Sequence, residues 1–223
     1  MLQEHPEAGM CYCKTSIFSQ LPLNGNEPTR KRNDEEFTQF LPIIFRGRPW
    51  STSSCLWTRN ASEMIGQWMD AWTWEDVEYD CRAGCKDITV LFLPESLCYK
   101  REDKGNYQLS HVGSHKETMQ KIAPIHVMTE SLISTGKIKN KRIRERFYNS
   151  VLKKNLIILM NFDEFEKADE ICDDIQRISN IFSKEWTIAS LIRMVNAIDT
   201  RKLILPYFWR FTAYSKSESL RTP

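Results

Sequence analysis

The sequence predicts an α+β fold, with an N-terminal antiparallel β-rich region that packs one helix and a C-terminal helical bundle. Residues 37–93 contain short runs in which apolar and polar side chains alternate, separated by turn residues, as expected for strands. After Lys116, apolar residues recur at the three- and four-residue spacing of amphipathic helices. Hydrophobic residues make up 41% of the 223 positions, so the chain has enough apolar surface to form a core.

Changes in composition divide the chain into three parts. Residues 1–36 mix proline, glycine, asparagine and charge, which is typical of a linker, so we expect a flexible N-terminal arm that packs weakly or not at all. Residues 37–115 form the predicted β-rich α+β region. Residues 116–223 form the predicted helical region and end in an aromatic C-terminal tail.

The β-rich region contains two predicted strand pairs and one helix. Residues 37–45 and 50–57 form the first pair, and residues 77–93 form a hairpin around an Arg-Ala-Gly turn because apolar residues alternate on both sides of it. The intervening segment 60–72 predicts a helix that begins at an Asn60/Glu63 capping box. One face of this helix carries Met64, Ile65, Trp68, Met69 and Trp72.

The helical region contains several amphipathic segments. Pro124 is expected at the first turn of one helix and Gly136 just after its end. Residues 163–182 give the clearest helical pattern, since Ile175 lies on two apolar lines at once, one of which includes Ala168 and Cys172. We therefore expect Ile175 to be fully buried. Residues 185–198 are apolar on most sides, which predicts a central helix.

Composition points to an intracellular protein, either cytoplasmic or nuclear. The chain contains no apolar window of about 18 residues, so no membrane span is expected, and its first residues lack the pattern of a secretory signal. Seven cysteines in such a chain are expected to be reduced thiols. The formal net charge of +2 neither favours nor excludes a nucleic-acid partner.

A metal site is the most specific chemical hypothesis that the sequence offers. Cys81 and Cys85 bound the turn of the predicted hairpin, and His111 and His115 follow at a matching separation. In form this set resembles an extended Cys2His2 zinc finger, because two thiolates and two imidazoles suit tetrahedral Zn²⁺. The long gap before His111 and the glycine between the histidines favour the simpler interpretation of reduced cysteines and no cofactor. Zinc is kept as the alternative.

Two charge blocks of opposite sign follow each other in the helical region. The basic block is typical of a phosphate-binding patch or a nuclear-import signal, and the block at 163–174 is strongly acidic. We favour the interpretation that two successive antiparallel helices complement each other's charge, with nucleic-acid binding as the alternative. The basic residues concerned are Lys137, Lys139, Lys141, Arg142, Arg144, Arg146, Lys153 and Lys154.

The sequence gives no support for an enzyme. It has neither a glycine-rich phosphate loop nor a nucleophile elbow. Asp87, Glu102 and Lys104 are of the types that hold Mg²⁺ and position water in metal-dependent nucleases. Because Glu102 falls in a predicted loop, we rank a nuclease third among the functional hypotheses.

Tryptophan and tyrosine suggest a contact surface. Trp74 lies off the apolar stripe of the predicted helix, and Tyr207 and Trp209 belong to the aromatic tail. Exposed aromatic side chains of this kind often dominate protein interfaces. The sequence therefore favours a non-enzymatic interaction or regulatory protein, and its general character, rather than any residue, suggests a viral accessory protein. The alternative is a zinc-stabilised nucleic-acid-binding protein.

Overall fold

The computed structural model confirms the α+β class. It describes residues 2–18, 30–32, 36–101, 114–180 and 183–197. In chain order the elements are β1 (Ala8–Phe18), β2 (Arg30–Arg32), β3 (Cys55–Trp57), α1 (Arg59–Ile65), α2 (Glu75–Cys85), β4 (Thr89–Arg101), α3 (Ser114–Ser134), α4 (Lys141–Phe147), α5 (Lys153–Asn161), α6 (Phe165–Ile178) and α7 (Lys184–Ala197).

The first strand corrects the prediction of a loosely packed arm at residues 1–36. β1 is the central strand of a four-stranded mixed sheet: it pairs antiparallel with β2 and β3 and parallel with β4. Most of its described residues are buried, and Met10 and Tyr12 are among the most buried in the protein. Gly9 permits close packing, since a Cβ there would lie 2.5 Å from Ile88 Cγ2. Because both faces of this strand are largely buried, its sequence lacks the alternation that identifies a half-buried strand.

The predicted hairpin at 77–93 is wrong in its first half. Residues Glu75–Cys85 form α2, and β4 begins only at Thr89. The first turn of α2 carries Glu75, Asp76 and Glu78, which favours a helix because carboxylates interact well with its N-terminal dipole. Alternating apolar and polar residues suggested a strand with one exposed face. In α2, however, polar residues between the apolar ones are also buried, as for Asp80.

Two further elements of the β-rich region differ from expectation. The predicted strand at 37–45 is instead an irregular segment followed by a 3-10 turn at Ile43–Arg46, and only Cys55–Trp57 of the returning segment is a strand. The predicted helix 60–72 ends early, at Ile65, because Gly66 adopts φ 91°. Its N-cap is Thr58, whose side chain accepts a hydrogen bond from Ala61 N, rather than Asn60.

The helical region follows the predicted pattern more closely. α3 begins ten positions before Pro124, so the proline lies inside the helix rather than at its start. The helix tolerates the lost hydrogen bond because Ile125 and Met128, on its apolar face, are fully buried. α4 and α5 are joined by a π-helical segment at Tyr148–Leu152. α6 buries Ile175 and most of the described residues on its two apolar lines, whereas α7 leaves Leu191 and Met194 exposed and is not central.

One hydrophobic core links the β-rich and helical regions. Residues from β1, α2, α3, α5 and α6 belong to the same buried cluster, and α2 packs against α3. Tyr12 and Phe40 contact Trp50, with ring centroids 5.0 and 5.3 Å from it. The boundary predicted at 115/116 therefore separates two regions that share one hydrophobic core.

Candidate interaction surface and binding cleft

The last turn of α1 and the connection from α1 to α2 present an aromatic surface. Met64, Trp68 and Trp72 are all exposed, and Trp72 reaches 71% of its full accessibility. We call these three residues the aromatic surface. Large apolar side chains exposed in one segment are unusual for a folded chain and typically mark a contact site.

Stacking and hydrogen bonds hold this connection against α2. The Trp68 ring stacks on buried Tyr79 with centroids 4.2 Å apart and an interplanar angle of 7°. Arg82 donates hydrogen bonds of 2.7 Å to the carbonyl oxygens of Ile65 and Gln67. The Arg82 guanidinium is itself fixed by Glu78, with contacts of 2.5 and 3.0 Å. These contacts order the start of the connection, residues 65–68, from which Trp68 is presented.

The predicted interface residue Trp74 does not belong to the aromatic surface. Trp74 is half-buried against the core, and Lys121 Nζ lies 4.7 Å from its ring centroid. It adopts φ 65° as the residue that precedes α2. Tyr207 and Trp209 lie outside the described residues. Trp74 would lie off the apolar stripe of a helix that continued to Trp72, but α1 ends at Ile65, before Gly66.

A cleft of about 530 Å³ lies where three segments meet. Residues 38–42 form one wall, residues 84–89 the second and residues 136–143 the third. We call it the central cleft. Its apolar lining includes Leu41, Ile88 and Ile143.

The charged groups of the central cleft are two cations and one carboxylate. Lys137 Nζ lies 2.5 Å from Asp87 Oδ1, and the Asp87 side chain is 79% exposed. Arg142 also lines the cleft and is exposed to solvent. Among the described residues, no carboxylate is paired with Arg142. Asn140 lies between these cations, and its side chain caps α4 by accepting from Arg142 N and Ile143 N at 2.9 and 3.3 Å.

Several carboxylates of the acidic block pair with residues outside the basic block. Among the carboxylates of α6, Asp169 and Asp173 pair with Arg193 of α7, while Glu170 pairs with Lys167 and His126. Within the basic block, Lys141 pairs weakly with Glu145 at 3.8 Å, and Arg144 donates to the Ile138 carbonyl. Among the described residues, these α6 carboxylates therefore form close ion pairs with residues of α3, α6 and α7, and the charge complementation between the two blocks stays a prediction. Within the basic block, the exposed residues are Lys139, Lys141, Arg142 and Lys154.

The two cysteines of the zinc hypothesis share one face of α2, one helical turn apart, rather than a hairpin turn. Both belong to the apolar core, and all seven cysteines are free thiols. Burial raises the pKa of Cys81 well above its usual value, while a hydrogen bond from Cys81 lowers the pKa of Cys85. His111 and the side chain of His115 lie outside the described part of the chain. Within that part, no three His, Cys, Asp or Glu side chains converge on a point where a metal ion would fit.

A buried ionic cluster fixes the segment before β3 to α2. The Arg48 side chain is 7% exposed, and its Nε lies 2.5 Å from Asp80 Oδ2, whose side chain is fully buried. Arg48 Nη1 also contacts Asp76 at 2.8 Å, and Trp50 Nε1 donates to Asp80 at 2.8 Å. Burial raises the pKa of Asp80 to about 6, against the opposing effect of Arg48 and Trp50. Because each charged group has a partner and none lines the central cleft, the cluster is structural.

A second ionic contact joins α3 to α6. His126 Nδ1 lies 2.7 Å from Asp174 Oδ2, and Nε2 lies 3.3 Å from Glu170 Oε2. These carboxylates, Asp174 first, raise the pKa of His126. The Asp174 contact is an ion pair by distance but not a well-aligned hydrogen bond. Since the carboxylates face opposite nitrogens of the ring, they cannot share one metal ion with it, and the contact serves packing.

The nuclease hypothesis gains no geometric support. Asp87 pairs with Lys137 at the mouth of the central cleft, while Glu102 and Lys104 lie outside the described residues.

Within the described ranges, no helix has the length and apolar character needed to cross a membrane. Comparisons with protein-family models, with curated proteins and with solved structures find no significant match to this chain.

Proposed function

We propose that this protein acts through contacts with another protein and that the aromatic surface of Met64, Trp68 and Trp72 is the centre of the interface. The observation that carries the proposal is the 71% exposure of Trp72 on a connection that Trp68 and Arg82 anchor to α2. Tryptophan on a pre-ordered segment provides large contact area with little loss of conformational entropy on binding.

Charge at the edge of the aromatic surface indicates the kind of partner. Glu63 and Asp70 are both exposed and lie within the same segment. An apolar pocket with basic residues around it would bury the indoles and complement these carboxylates. The proposed partner surface is therefore apolar at its centre and cationic at its rim.

Replacing Trp72 with alanine should strongly weaken partner binding without affecting the fold. A central interface tryptophan contributes about 2 kcal/mol or more, so we expect affinity to fall about 30-fold. Because the side chain is exposed, thermal stability should change by less than about 0.5 kcal/mol. The measurement is quantitative capture from native cells by wild type and variant, followed by a dissociation constant for the purified partner.

Leu97→Ala is the matched control, since Leu97 is 63% exposed on β4. It should retain every partner that wild type captures. Equal capture by wild type and Trp72→Ala would contradict the proposal, because it would place the interface elsewhere.

A second candidate function is binding of nucleic acid through the basic block. The observation that favours it is that the carboxylates of α6 pair with Arg193, Lys167 and His126, which leaves the basic block without that counter-charge. Zinc would be an addition to this function rather than a requirement, because Cys81 and Cys85 already pack in the core.

Binding of arbitrary RNA should then fall steeply with salt. Each phosphate contact contributes about 0.7 to the slope of log affinity against log salt for a single strand. The double variant Lys153→Gln/Lys154→Gln should therefore lower that slope by about 1.4, whereas Lys184→Gln on α7 should leave it unchanged. Zinc content of the purified protein, measured beside it, tests the metal. Salt-independent or absent RNA binding would eliminate this candidate.

A further inference from the structure

We propose that the central cleft is a small-molecule site that binds a phosphate monoester carrying an apolar group. This inference is independent of the aromatic surface, which lies on the last turn of α1 and the α1–α2 connection and contributes no residue to the cleft. The volume of about 530 Å³ is within the range of known small-ligand pockets. Three properties of its lining define the ligand: its cations, its competing carboxylate and its apolar wall.

The cations select an anion. Lys137 and Arg142 both belong to the wall formed by residues 136–143. A guanidinium matches the oxygen geometry of phosphate, and a lysine beside it adds a compact charge. A phosphate monoester carries nearly two negative charges at neutral pH, so it suits a pair of cations better than a carboxylate does.

Asp87 occupies the position that the ligand would take. Its carboxylate contacts Lys137 at 2.5 Å but is 79% exposed, and exposed ion pairs of this type are weak. An incoming dianion can therefore replace Asp87 as the partner of Lys137 while the Asp87 side chain turns to solvent. The mouth of the cleft thus already holds one carboxylate where we place the phosphate.

The apolar wall selects the rest of the molecule. Leu41 and Pro42 line one side, and Ile143 lines another. Close packing supports this wall, since a Cβ on Gly84 would lie 2.6 Å from Leu41 Cγ and 2.9 Å from Phe40 Cβ. α2 therefore lies directly behind residues 40–41 and keeps them in place. An aromatic or aliphatic group on the phosphate would contact this wall and be shielded from water.

Isothermal titration calorimetry of the full chain with phenyl phosphate tests the site. We expect saturable binding of one ligand per chain. Arg142→Gln and Lys137→Gln should each weaken it by about tenfold, as expected for the loss of a charge-assisted contact. Arg146→Gln is the matched control, because Arg146 lies one turn along α4 and does not line the cleft. It should leave the affinity unchanged, and equal weakening by Arg146→Gln would overturn the proposal by showing diffuse attraction to the basic block.

Asp87→Asn gives the most specific readout. It should tighten phenyl phosphate binding several-fold, because the competing carboxylate is removed while asparagine still accepts the φ of 54° at this position. Phenol and inorganic phosphate should each bind more weakly than phenyl phosphate, since each lacks one half of the recognised chemistry. Binding that Asp87→Asn leaves unchanged, inorganic phosphate binding as tightly as phenyl phosphate, or no saturable binding would each overturn the proposal.

Discussion

Replacing Ile175 with aspartate should unfold the protein. Ile175 is 1% exposed, and the core to which it belongs includes residues of the sheet as well as the helices. A carboxylate in this position must either remain charged without a partner or take up a proton, and both cost several kcal/mol. Since a domain is typically stable by only about 5–15 kcal/mol in total, we expect the cooperative thermal transition to be lost or greatly lowered.

Two controls separate burial from helix propensity. Ile175→Val keeps an apolar side chain and should cost only about 0.5–1.5 kcal/mol. Leu191→Asp introduces the same charge on α7 at a position that is 46% exposed, so its effect should be far smaller. A cooperative transition for Ile175→Asp within a few degrees of wild type would mean that α6 presents a different face to the core.

The burial of Ile175 shows what a sequence pattern predicts well. α6 is strongly amphipathic, so its helical period alone identified Ala168, Cys172 and Ile175 as core residues. The end of α3 near Gly136 was predicted correctly for a similar local reason, since that glycine adopts φ 71°. Both features depend on neighbours along the chain, which a sequence displays directly.

The errors arose where distant residues decide the outcome. Asp80 and Glu78 are fully buried in α2, and they are tolerated there only because Arg48 and Arg82 reach them. Without knowledge of those partners, the flanking apolar residues looked like an alternating strand. In the same way, local composition predicts a flexible arm at residues 1–36. It misses β1 because the main pairing partner of this strand, β4, is distant in sequence.

The candidate sites show the same limit. The central cleft combines residues 38–42 with residues 136–143, and no local motif connects these segments. The basic block was identified from composition, but only the structure reveals that Arg142 and Lys137 line a cleft while Arg146 does not. The sequence places Trp68 and Trp72 on the apolar face of a helix that continues to residue 72. Because α1 ends at Ile65, both tryptophans are instead exposed.

Replacing Arg48 with methionine should destabilise the protein by about 3–5 kcal/mol at neutral pH, as expected when one partner of a buried ion pair is removed. The change would leave Asp80 fully buried without its cation and Asp76 with only Thr52 as a side-chain partner. The matched control is Arg193→Met, because Arg193 pairs with two carboxylates at the surface. Pairs of that kind contribute less than about 1 kcal/mol.

A second substitution should restore most of the lost stability. In Arg48→Met/Asp80→Asn the buried charge is gone, while the asparagine oxygen can still accept from Trp50 Nε1, which donates to Asp80 in the native protein. Neutral replacements of buried ion pairs are often tolerated. Denaturant unfolding of both single variants and the double variant gives the coupling energy. Equal stability of Arg48→Met and the double variant would show that Arg48 acts through packing alone.

The pH dependence of Arg48→Met provides an independent check on the charge of Asp80. Burial already raises the pKa of Asp80 to about 6, and Arg48 is the strongest group that opposes this rise, so removing Arg48 should raise the pKa further. A carboxyl group whose pKa is higher in the folded than in the unfolded state binds more protons when folded, so stability falls as pH rises between the two values. The deficit of Arg48→Met relative to wild type should therefore shrink as the pH is lowered from the raised pKa of Asp80 in the variant to about 6, its pKa in wild type, and should change little below that. Chemical denaturation at a series of pH values measures it, and a deficit that grew on acidification would show that Asp80 is not the charge that Arg48 neutralises.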